Sequence, residues 1–204
     1  MNDQTCSLKA IVAEVRELER HIHVPFEAQA VSRDVEQYAH VSTILRKLEA
    51  TSQQHIDDLS DVLLEMDGHA APDQPDPSQV ERALLEAIDP FQRTKVSRKL
   101  RDDSAALSFC AAGYTVLQTV ATALGEEAIS EIAALHLRDY AELVMELSQA
   151  LPVVVLAELA EFGIDVDPSM AHPARRAAED AWRRHATAIT GTIDIDDFVE
   201  IDAE

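Results

Sequence analysis

Basic residues, aromatics, glycine and cysteine are all scarce in this chain, and each scarcity closes off a class of function. Against 38 acidic residues stand 17 lysines and arginines, a formal net charge of -21. A field of that sign repels a phosphate backbone, so neither nucleic acid nor an anionic membrane is an expected partner. Arg93, Lys95, Arg98, Lys99 and Arg101 are the one local exception. On a helix they spread around the axis, and they read as a solvated face paired with carboxylates. Five glycines leave little material for a phosphate-cradling loop, and neither GxSxG nor HExxH is present. The two cysteines, Cys6 and Cys110, form no CxxC, which suits a reducing, cytoplasmic setting. Cys110, set among apolar residues, reads as a small core residue. No uninterrupted apolar run approaches a membrane span, since the longest, residues 151–157, contains a proline. Charges throughout the first twenty residues do not read as a signal peptide. With 4% aromatics against 47% hydrophobics, the composition favours helix over sheet.

What the chain does have is a repeat. HIDDLSDVLLEM, residues 55–66, returns 81 residues later as HLRDYAELVMEL, residues 136–147. His55 aligns with His136, Asp58 with Asp139 and Glu65 with Glu146, while most other positions match apolar for apolar. The simplest reading is two helical hairpins, each with a histidine midway along its second helix.

Along the chain, Leu8, Ile11, Val12, Val15, Leu18 and Ile22 form the apolar stripe of a first helix, read as carrying no carboxylate and as ending at Pro25. A second helix is expected over residues 31–66, with His55 in the middle of its apolar face. A proline-rich linker follows. Ser78 and Glu81 have the spacing of a capping box, opening a short crossover helix over residues 79–88. The third helix, from Pro90 to Leu124, carries a seam of Leu100, Asp103, Leu107, Cys110, Tyr114, Leu117, Ala121 and Leu124, in steps of three and four. The fourth, residues 126–150, places His136 among Ile129, Ala133, Tyr140, Leu143 and Leu147. Pro152 is expected to kink or break it, and a last helix starts at Pro173.

Residues 107–147, LSFCAAGYTVLQTVATALGEEAISEIAALHLRDYAELVMEL, resemble the second hairpin of the ferritin-like superfamily, above all its small stress-induced members. The words AAGY and ATALG carry most of the likeness, and LEATSQQHIDDL resembles the first hairpin. The resemblance, which covers roughly residues 31–150, implies an all-α, antiparallel four-helix bundle, placed over residues 1–165; to it the residues themselves add the crossover helix, a helical extension over 166–190 and an acidic tail over 191–204. It also implies a di-iron centre built from a Glu on each of two helices and a Glu-x-x-His on each of the other two. Here the sequence departs from it. Ser52 and Ala133 stand three residues before His55 and His136, and Cys110 falls where the third-helix carboxylate belongs.

A classical ferroxidase centre is therefore not expected. His55, His136 and Asp103 remain, a set able to hold one iron, manganese or zinc ion, with Asp58 and Asp139 orienting the rings. The preferred alternative has no metal, each histidine being satisfied by the aspartate three residues further along its own helix or by a backbone carbonyl, and fixing helix register. The expected function is a stress-associated dimer that acts through assembly or binding. The rivals are a metal-dependent redox protein of the same superfamily and an acidic adaptor or inhibitor of a basic protein partner. For the last, Ile193, Ile195, Phe198, Val199 and Ile201 in the tail form the candidate docking strand.

Overall fold

The computed structural model describes residues 3–67 and 95–189, with side chains over 7–66 and 95–181. Among these residues the chain is all-helical. Its elements are α1 (Asp3–Ala30), the single turn α2 (Arg33–Glu36), α3 (Ala39–Asp67), α4 (Val96–Leu124), α5 (Glu127–Glu161), a 3-10 turn (Pro168–Met170) and α6 (Ala171–Ile189). The expected crossover helix and the tail residues Ile193, Ile195, Phe198, Val199 and Ile201 lie outside the described residues.

Pro25, expected to end a helix, and Pro152, expected to kink or break one, both sit inside a helix. Pro25 is internal to α1 and Pro152 to α5. A proline deletes one backbone hydrogen bond and crowds the preceding turn, but each lies where the apolar face continues past it. Ile22, Phe26 and Ala30 are buried at spacings of four around Pro25, and Leu147, Ala150 and Val154 are buried around Pro152. Burial of that face outweighs the local preference. Because α1 runs on to Ala30, the reversal moves to residues 31–38. There Val35 is tucked inward and α3 begins only at Ala39.

The start of α4 is capped from another helix. The buried carboxylate of Glu158 on α5 accepts from the Ser97 backbone N–H at 2.9 Å and from its hydroxyl at 2.5 Å. That satisfies a donor which α4 itself leaves open, its N-cap Lys95 offering no side-chain bond. At the other end Gly125, with φ of 75°, takes the left-handed conformation that favours glycine and returns its N–H to the last carbonyls of α4. The basic cluster is partly paired as expected. Lys99 lies 3.8 Å from Asp34 and Arg101 2.6 Å from Asp102, while the Lys95 ammonium sits 3.8 Å above the Phe162 ring.

Helices α1 and α3 pack together, as do α4 and α5; α1 also contacts α4, and α3 contacts α5. Cross-helix bonds fix the directions. Glu19 meets His55 and His23 meets Ser52, so α1 and α3 are antiparallel. Gln29 meets Asp103 and Glu19 meets Tyr114, so α1 and α4 are antiparallel too. On α3 and α5, Lys47 meets Glu146 while His55 meets Asp139. Helices α1 and α5 therefore run one way, and α3 and α4 the other. One core fills the space between the four, and the predicted seam of α4 is buried from Leu100 to Ala121.

Among the described residues, two helices qualify by length and composition alone as long and apolar enough to cross a membrane. Eighteen-residue windows of α4 and α5 reach mean hydropathies of 1.3 and 1.7. Counting uninterrupted apolar runs misses them, because serine, threonine, glutamine and histidine break the runs without adding charge. In the fold each turns one face into the shared core, and on those faces lie Asp103 and His136.

Candidate functional site

Halfway along the four long helices the core becomes polar. Glu19, His55 and His136 are almost completely buried, with 0%, 1% and 1% of their surface exposed. Glu19 comes from α1, and its position was legible. It lies four residues after Val15 and three before Ile22, inside the apolar stripe rather than opposite it, so α1 does present a carboxylate to the core.

That carboxylate is the hub. Tyr114 of α4 donates its hydroxyl to Glu19 Oε1 at 2.6 Å, and Tyr140 of α5 donates to Oε2 in a short hydrogen bond. His55 Nδ1 approaches Glu19 Oε1 at 3.2 Å. Burial first, and the Glu19 charge second, push both tyrosines well above the ordinary phenol range, so they remain donors. Burial and then Glu19 raise the Cys110 thiol in the same way, which fits its place in the core.

The two histidines are brought together face to face, with ring centroids 3.7 Å apart and planes inclined by 17°. Each uses its outer nitrogen on an aspartate of the other hairpin. His55 Nε2 lies 3.3 Å from Asp139 Oδ2, and His136 Nε2 lies 3.0 Å from Asp58 Oδ2. Sequence spacing pointed to pairing within one helix; the fold exchanges the partners. Exchanging the two repeats, 81 residues apart, turns each pair into the other. At the rim Lys47 reinforces the same α3–α5 register, reaching Glu142 at 3.1 Å and Glu146 at 2.7 Å.

Proton placement follows from donor inventory. A carboxylate only accepts. His55 faces one on each side, with the buried Glu19 at its Nδ1 and the half-exposed Asp139 at its Nε2. His136 needs only Nε2–H for Asp58, and its buried Nδ1 has no partner among the described residues. Burial, and next His55, lower the His136 pKa, against the pull of Asp58 and Glu19. His136 is thus neutral, with a free lone pair on Nδ1.

Asp103 does not join the histidines. Eleven residues before Tyr114 on α4, it lies about 16 Å away along the axis and bonds to Gln29 of α1. The other diagnostic positions are consumed by the core. Ser52 gives its hydroxyl hydrogen to the Glu49 carbonyl and accepts from His23 Nδ1 at 2.8 Å, and Ala133 is buried. Nearly parallel rings stacked this closely direct their in-plane lone pairs side by side, and these do not converge within the ~2 Å of a metal–nitrogen bond. Among the described residues, no group of three or more His, Cys, Asp or Glu side chains is arranged to hold a metal ion.

Comparison of the chain with family models, with curated proteins and with solved structures finds no match.

Proposed function

We propose that this is a ferritin-like helical-bundle protein in which a hydrogen-bonded carboxylate–tyrosine–imidazole cluster stands where that superfamily carries its metals, and that it acts through binding or assembly. The observation that carries the reading is the reciprocal pairing of His55 with Asp139 and of His136 with Asp58 around Glu19. Up-down-down-up helix order supports it, since joining the parallel α3 and α4 needs one long crossover, as in ferritin-like folds. A di-iron site requires about four carboxylates to balance two cations. Here one buried carboxylate, Glu19, is already engaged by two tyrosines and a histidine, and Asp58 and Asp139 serve the histidines from the rim.

A second reading draws on the unpartnered His136 Nδ1. Rotation of the stacked rings would let Glu19, His55 and His136 bind a single iron, manganese or zinc ion, with Glu19 in the role that the sequence assigned to Asp103. Elemental analysis of the protein, produced with iron, manganese and zinc supplied, separates the two. The cluster reading predicts less than about one-tenth of an equivalent of any metal, unchanged in His136→Ala. One equivalent, lost in His136→Ala, would establish the second reading instead.

Stress association, which the resemblance suggests, and a dimeric state belong to this proposal; a basic protein partner belongs instead to the rival reading as an acidic adaptor, for which the net charge of -21 speaks.

A further inference from the structure

Far from the histidines, a second buried polar contact joins α1 to α4. Gln29, 4% exposed, donates its amide N–H to Asp103 Oδ1 at 2.9 Å, and Asp103 is 0% exposed. The two remaining heavy atoms of this pair, Gln29 Oε1 and Asp103 Oδ2, are both buried acceptors without a partner among the described residues. One proton on Oδ2 satisfies both, because the acid then donates to the amide oxygen while accepting from the amide nitrogen. Two acceptors left open on adjacent groups are the signature of that missing proton. The electrostatics agree. Burial raises the Asp103 carboxyl from its ordinary 3.8 to about 7; the Gln29 bond opposes the rise, Asp102 adds to it and Lys99 opposes it. Lys99 is itself drawn towards Asp34 of α2, and what α1 offers Asp103 among the described residues is the neutral amide of Gln29.

We propose that Gln29 and Asp103 form a proton-operated latch between α1 and α4, closed as a two-bond amide–acid ring when Asp103 is neutral and opened to one bond when it ionises. The latch grips the last turn of α1, next to the corner at residues 31–38, and the second turn of α4. Losing the proton therefore loosens the junction of the two hairpins at that end. Because the folded group binds its proton more tightly than the unfolded one, its contribution to stability is complete below about pH 4. It declines as pH rises, and is lost once pH passes about 7.

The test compares thermal unfolding of the full chain and of Asp103→Asn, whose amide holds both bonds at any pH. Between pH 5 and 8 the wild-type melting midpoint is expected to fall about 5–10 °C further than that of Asp103→Asn. Groups far from Asp103 are common to both proteins and cancel in the difference. Parallel pH profiles would overturn the latch. Should the variant not fold, carboxyl carbon NMR of Asp103 in the wild-type chain decides: a midpoint near 7 sustains the proposal, and one below about 5 overturns it.

Discussion

Replacing Glu19 by alanine is expected to destabilise the protein by about 3–5 kcal/mol, lowering the melting midpoint by roughly 10 °C. The effect is large because the change strands other groups as well as deleting one. Tyr114, Tyr140 and His55 all direct a proton at this carboxylate, and none is exposed enough to turn to water. A buried donor without an acceptor carries its full desolvation penalty, about 1–3 kcal/mol for each neutral group. Tyr140→Phe, which removes one donor and leaves the hub its other two, should cost about 1–2 kcal/mol. Chemical denaturation of both variants checks the ranking. An alanine variant no weaker than the phenylalanine variant would show that Glu19 is not the acceptor at the centre.

The second large effect is expected for His55→Ala, about 3–4 kcal/mol. It removes the stacked partner of His136 and the one group bridging Glu19 to Asp139. The pattern of coupling is more telling than the size. In double-mutant cycles His55 should couple to Asp139 by about 1–2 kcal/mol and to Asp58, three residues along its own helix, by less than about 0.5 kcal/mol. His136 should show the mirror image, coupling to Asp58 and not to Asp139. Asp139 and Asp58 have side chains 40% and 32% exposed, so solvent screening keeps these couplings below those of a sealed ion pair. Coupling within each helix instead would mean that the hairpins do not exchange partners.

Apolar periodicity made most of the core readable in advance. The seam from Leu100 to Ala121 and the stripe through Ile129, Ala133, Tyr140, Leu143 and Leu147 are buried as their spacing predicts. Helix ends were read less well, because proline acts locally while the decision is tertiary. Phe26 and Val154 hold their helices together beyond Pro25 and Pro152 by burying the next turn of the face. In the site, the repeat singled out both histidines and both aspartates, but spacing reveals only neighbours along one helix, so the exchange of partners was hidden. Glu19 was passed over for its charge although its phase placed it with Val15 and Ile22. Asp103 stood out as a carboxylate in an apolar seam. Its partner, Gln29, is 74 residues away, and no pattern in the chain joins the two.

The protonation of the two imidazoles tests the central claim most directly. Long-range proton–nitrogen NMR of the full chain at neutral pH should show His136 with a proton on Nε2 and a bare Nδ1, and His55 with a proton on the Nδ1 that faces Glu19, unchanged when a chelator is added. A proton on His136 Nδ1, or imidazole signals that shift when metal is stripped, would contradict the hydrogen-bonded cluster.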